Sequence, residues 1–149
     1  MSTEYHTPTQ NINPGSFADQ YKIIPSTNAN GATIDDTVIQ SELTAQITAG
    51  NLPAPQLDSQ GNPVTYYAIY FPNGKTITAG SDTSCVAGGF CAYHGTVAAA
   101  DAVNEYFYGV HPDMQVGSGC DTGCGTGTTF QKNCQVSSHE LVEMITGTN

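Results

Sequence analysis

The chain has no arginine, no tryptophan and only three lysines, Lys22, Lys75 and Lys132, against thirteen acidic residues. Binding to a nucleic-acid backbone draws on clustered cations, so the sequence excludes DNA and RNA as partners. The net charge of −10 disfavours anionic membrane surfaces for the same reason. No apolar run reaches the ~20 residues of a membrane span. The opening "MSTEYHTPTQ" has no apolar centre of the kind that marks a signal peptide, so a secreted form would be a mature or processed chain. Charged residues make up 11% of the 149, and solubility must rest on Ser, Thr, Asn, Gln and Gly. That surface chemistry suits an extracellular protein. Hydroxyls are plentiful enough to carry O-linked sugar, whereas no N-x-S/T sequon occurs. The apolar fraction of 38%, with eight Tyr and five Phe, is enough for the core of one domain.

A C-x-x-C pair is also missing, which argues against structural zinc held by thiolates. The cysteines present are Cys85, Cys91, Cys120, Cys124 and Cys134, set in Gly-rich segments such as "CVAGGFC" and "GSGCDTGCGTG". Such loops close easily into disulfide rings, which persist in oxidising compartments. At least two disulfides are expected. Cys85–Cys91 is the favoured first pair because its loop is short, and Cys120, Cys124 and Cys134 compete for the second. The odd count leaves one thiol free or paired outside the chain.

Residues 1–30 read as an extended polar arm with a small apolar island at Tyr21–Ile24, and residues 31–149 as a single α+β domain. His6 lies in the arm and reads as polar terminus, not ligand. Asp35 or Asp36 caps a helix over 36–49 that Gly50 stops, with Val38, Ile39, Leu43 and Ile47 at helical spacing. Strands are expected near 64–71, 89–97 and 104–110, joined in a small antiparallel or mixed sheet. The first of them reads as well buried, and Asn73-Gly74 offers a turn after it. The stretch "AAADA" links the last two. Residues 113–133 read as a long loop held by its cysteines.

The last segment, "SSHELVEMITGTN", predicts a helix over 137–146, with Ser137 and Glu140 as an S-x-x-E capping box. His139, Glu140 and Glu143 fall within about 100° of arc, and Leu141, Met144 and Ile145 fall opposite, facing the core. Residues at i and i+4 can grip one ion, so His139 and Glu143 are candidate zinc ligands. Glu140, a quarter-turn away, is placed to deprotonate a zinc-bound water as general base. The bland alternative is an amphipathic helix with a solvated acidic face. A catalytic zinc takes three protein ligands. His94 of "AYHG" is the candidate third, although a packed strand histidine with its ring bonded to a backbone carbonyl is the favoured reading. His111 has less support.

The segments "ELTAQITAGNLPAP", "YYAIYFP", "CVAGGFCAYHGTV", "GCDTGC" and "SSHELVEMIT" occur in the order found in the EXORDIUM-like family of secreted plant proteins and its bacterial relatives. The chain resembles that family over roughly residues 36–146. The resemblance implies a zincin-like domain, with an H-E-L-x-E helix beside a sheet whose edge strand pairs with an extended substrate. It implies His139 and Glu143 as ligands, Glu140 as base and His94 as a further candidate. In the family the helix runs on into a longer acidic segment with another cysteine. Here it is followed by Gly147-Thr148-Asn149, so a third ligand and a partner for the odd cysteine are expected in a continuation. Two function classes follow. One is a secreted zinc metallopeptidase-like enzyme acting on a peptide or protein. The other is a non-enzymatic extracellular protein that self-assembles or associates with cell wall or glycan.

Overall fold

Asp35 ends a short strand and begins a helix, and its carboxylate accepts the Thr37 N–H at 3.1 Å as an N-cap. The computed structural model describes residues 15–98 and 105–147. Strand β1 (Thr33–Asp35) leads into helix α1 (Asp36–Thr48), whose Ile39, Leu43 and Ile47 form one buried stripe at four-residue spacing. Gly50, at φ 75°, turns the chain away as the sequence requires. Asp36, the other candidate cap, instead accepts the hydroxyls of Tyr93 at 2.6 Å and Tyr108 at 2.8 Å, tying the helix to the main sheet.

There are two small sheets. Strand β1 pairs in parallel with β3 (Thr76–Ala79), which pairs antiparallel with β4 (Asp82–Thr83). The second sheet has the order β2-β6-β5, from β2 (Tyr66–Tyr70), β5 (Tyr93–Ala98) and β6 (Glu105–His111). Its β2 and β6 run parallel, whereas β5 and β6 run antiparallel. The three expected strands are therefore present in a mixed sheet. Two details differ. The strand expected to be well buried, β2, is a sheet edge where only Tyr67 is buried, because β6 takes the central place. The Asn73-Gly74 turn joins strands of different sheets rather than closing a hairpin. The "AAADA" link lies almost wholly outside the described residues.

The core gathers Ile34, Ile39, Leu43, Ile47 and Ile77 against Tyr67, Tyr106, Tyr108 and Val110, the face of the main sheet turned to α1. The other face carries the longest helix. Helix α3 (Thr129–Thr146) starts eight positions earlier than the expected Ser137, so the loop read over 113–133 holds its first turn and, before it, the one-turn helix α2 (Cys120–Gly123). The operative capping box is Thr128 with Gln131, the same pattern as Ser137 with Glu140 but one helix-start upstream. Lys132 is buried beneath it, and its ammonium donates to the Asp121 carbonyl.

Two disulfides are present, Cys85–Cys120 and Cys91–Cys124, spanning 35 and 33 residues. The expected Cys85–Cys91 ring does not form. The loop between them is already closed by backbone hydrogen bonds, Cys85 N–H to Phe90 O at 3.0 Å and Gly89 N–H to Val86 O at 2.9 Å, and both sulfurs reach α2 and its C-cap instead. Cys134 on α3 is a free, exposed thiol. Met114 packs with the half-cystines in a second small core. Of the arm, residues 1–14 lie outside the described residues. Residues 15–26 form no helix or strand, and Ser26 anchors them through its N–H (3.1 Å) and hydroxyl (2.6 Å) to Glu42. No described helix is long and apolar enough to cross a membrane.

Candidate metal centre

Helix α3 lies on the sheet with an acid, not an aliphatic residue, turned inward. Glu140 is 6% exposed, whereas Ile145 is 39% exposed and Leu141, Val142 and Met144 are only half-buried. Leu141 and Ile145 therefore do not turn to the core as expected, and the reason is a partner for the acids from β5. The Nδ1 of His94 lies 2.9 Å from Glu140 Oε2 and 3.7 Å from Glu143 Oε2. Both members of the closer pair are nearly closed to water, with side chains 10% and 8% exposed. A carboxylate so buried needs a charge-assisted partner, and the imidazole provides it.

Three chain features bring the group together. The Cys91–Cys124 bond fastens the residues just before β5 to the C-terminal end of α2, a few residues ahead of α3. Antiparallel pairing then sets His94 opposite Gly109 on β6. Gly109 is the third feature, because a Cβ there would overlap the Tyr66 hydroxyl and come within 3.0 Å of His111 Nε2. Its missing side chain lets the Tyr66 ring lie across the strand below the helix.

The possible ligand atoms of His94, Glu140 and Glu143 all lie within 4.8 Å of one another. Bonds near 2.1 Å in a tetrahedral site put ligands about 3.4 Å apart, so a modest inward movement brings all three onto one ion. Two carboxylates converge on a single imidazole nitrogen, which leaves an excess of negative charge at the point where a cation would sit. His139 stands on the rim, 66% exposed, with Nε2 3.1 Å from Glu143 Oε1. Glu143 therefore lies between two imidazoles.

A second layer supports the first. The Tyr66 hydroxyl is 3.4 Å from His111 Nε2, and Tyr70 stacks on the His111 ring with centroids 4.7 Å apart. Tyr70 donates its own hydroxyl to Ser137 Oγ at 2.9 Å, a further link between β2 and α3. Burial pushes the His111 pKa down to about 4, so its ring is neutral near pH 7. Burial, and after it the Glu140 and Tyr70 charges, hold the Tyr66 phenol above its ordinary range, so it keeps its proton.

Of the residues singled out from sequence, the structure gathers His94, Glu140 and Glu143 and leaves His139 at the edge. His111 sits in the supporting layer, and His6 lies outside the described residues. Tyr66 and Gly109 were not foreseen, and only the parity of β2 and β6 relative to His94 could have pointed to them. Comparison with family models, curated proteins and solved structures finds no match for this chain.

Proposed function

We propose that the chain is a secreted zinc-metallopeptidase-like hydrolase whose ion is held by His94, Glu140 and Glu143. The observation that carries this reading is the convergence of one imidazole and two carboxylates at a helix–sheet junction, with the innermost carboxylate buried. The resemblance to the EXORDIUM-like family and the two disulfides support it, the latter because such bonds persist in oxidising compartments. The donor set suits zinc through its imidazole, while its carboxylates also accept harder divalent ions.

When bound, zinc would supply a Lewis acid and lower the pKa of a coordinated water. The chain's own residues do the rest. His94 and Glu140 would hold the ion from the buried face, and Glu143, which touches His139, would be the third ligand. Glu140, read from the motif as the general base, would serve as a ligand in this arrangement, which leaves His139 at the exposed rim as the residue able to accept a proton. Tyr66 keeps its proton beside the Glu140 carboxylate and is a donor for negative charge developing on a substrate carbonyl.

The second reading, a non-enzymatic assembly or cell-wall protein, draws on Phe17 and Ile24 of the arm, 82% and 88% exposed and open to a partner. One experiment separates the two. Chelator-stripped protein is titrated with zinc, its metal content measured, and its cleavage of a quenched-fluorescence peptide library followed. The enzyme reading expects one zinc per chain and cleavage that His94→Ala and Glu143→Gln abolish. Absence of stoichiometric metal, together with concentration-dependent assembly in light scattering, would establish the second reading instead.

A further inference from the structure

We propose that Asn73 is a self-modifying site, at which the Asn73-Gly74 turn converts in water to aspartate and isoaspartate. Two Asn-Gly pairs occur in the chain, Asn30-Gly31 and Asn73-Gly74. The pairing matters chemically because glycine has no Cβ, so its backbone nitrogen can approach the side-chain amide of the preceding asparagine unhindered. The fold treats the two pairs in opposite ways. Asn73 and Gly74 are both exposed, at the turn that carries the chain from one sheet to the other. Among the described residues no hydrogen bond engages the Asn73 side chain or the Gly74 N–H. Gly74 sits at φ 82°, with open space where a Cβ would stand. Asn30 is held instead. The Lys75 ammonium donates to its carbonyl oxygen (2.7 Å), to its Oδ1 (3.1 Å) and to Gly31 O (2.9 Å). One cation thus fixes side chain and main chain together, and ring closure at Asn30 would first have to break a charge-assisted bond.

The reaction needs only water. A solvent base takes the proton of the Gly74 N–H, and the nitrogen attacks Cγ of Asn73. A C–N bond forms, the side-chain nitrogen leaves as ammonia, and a cyclic imide remains. Water then adds to one of the imide carbonyls and breaks its bond to the ring nitrogen. Opening on the side-chain carbonyl restores the main chain and gives aspartate. Opening on the main-chain carbonyl gives isoaspartate, whose backbone runs through the former side chain. Nothing is oxidised or reduced. Either product adds a negative charge to a chain already at −10. Isoaspartate also lengthens the main chain by one carbon where it passes from β2 to β3. The new carboxylate lies two residues before Lys75, the cation that ties this turn to Asn30 and Gly31. The product is an aged form, marked by charge at the junction of the two sheets. The His94 centre takes no part in it.

The test incubates the full folded chain in mildly alkaline buffer below its melting temperature. Samples taken over days are mapped by mass spectrometry, with electron-transfer fragmentation to tell isoaspartate from aspartate. Asn73 should acquire the amide-to-acid mass gain first, with isoaspartate among its products. Asn30 should convert about tenfold or more slowly, because its bond to Lys75 must break before the ring can close. In urea, where those contacts are gone, the two pairs should convert at comparable rates. Lys75→Met, with its fold checked by circular dichroism, should speed Asn30 and leave Asn73 unchanged. Asn73→Ala should remove the acidic shift that the aged wild type shows on isoelectric focusing. Asn30 keeping pace with Asn73 in the folded wild type would overturn the proposal. So would an Asn73 that converts about tenfold more slowly in the folded chain than in urea, since the fold would then protect the turn.

Discussion

Replacing Glu140 with leucine in metal-free protein isolates the pair on which the candidate site is built. Both side chains are about nine-tenths buried, at 8% and 10% exposure, and their atoms lie 2.9 Å apart. Removing one partner of such a pair costs about 3–5 kcal/mol, because the other charge stays behind without compensation. Glu143, 3.7 Å from the same His94 nitrogen, still offers a carboxylate after the change, which puts Glu140→Leu at the lower end of that range. His94→Phe should lie at the upper end, since two carboxylates lose their common partner. The double variant should be close to wild type, because a buried pair exchanged for well-packed apolar groups is often neutral. With about 2–4 °C lost per kcal/mol in a domain of this size, the single variants should melt roughly 6–20 °C lower. The assay is a double-mutant cycle by urea denaturation in chelator, with m-values compared to confirm a common unfolding transition. A cost below about 1 kcal/mol for both single variants is what an exposed pair would give, and it would refute the inward orientation of α3.

The remaining predictions concern what surrounds that pair. Burial lowers the His111 pKa from 6.5 to about 4, so between those values the unfolded chain binds a proton that the folded chain refuses. Stability should therefore fall by up to about 3 kcal/mol as pH drops from 6.5 to 4 and level off below. His111→Phe should remove that part of the slope in urea midpoints taken across the range, and an unchanged slope would exclude His111 as its source. Gly109→Ala should cost about 1–3 kcal/mol in the same assay, because the new Cβ displaces the Tyr66 hydroxyl. Thiol titration of the folded protein should find one reactive cysteine, Cys134. Replacing Cys91 and Cys124 together by alanine should cost about 3–4 kcal/mol for a loop of this length, and two or more free thiols in the native protein would contradict the pairing.

Where local chemistry decides structure, the sequence was readable. Helix α1 carries its cap, its apolar stripe and its stop between Asp35 and Gly50, so 36–49 was anticipated against an observed Asp36–Thr48. The strands were found because β-branched and aromatic residues cluster there. Their pairing was not legible, because register and parallel direction depend on contacts between distant segments. The cysteine partners were hidden for the same reason: loop length favours Cys85–Cys91, whereas each of the two pairs with a cysteine 33–35 residues further along the chain. The start of α3 was misplaced because Ser137-x-x-Glu140 imitates a helix start inside a helix, while the true box at Thr128 follows a Gly-rich run with little apolar periodicity.

The motif H-E-x-x-E fixed the angles among His139, Glu140 and Glu143, but angles on a helix say nothing of what the helix faces. Apolar Leu141 and Ile145 would ordinarily settle that question by turning inward. They are overruled here by a residue 46 positions away, since His94 makes burial of Glu140 tolerable, and Gly109 leaves room for the Tyr66 hydroxyl. A helix that seats its carboxylates on a sheet gives up aliphatic burial to do so, and a cationic partner between the acids offsets that cost. His94 can supply one charge at most, against the two carboxylates that converge on its Nδ1. A divalent ion at the same point satisfies both acids and leaves the imidazole free to coordinate it as a neutral ligand. The inversion of α3 is therefore a stronger argument for a metal than the motif that first drew attention to it.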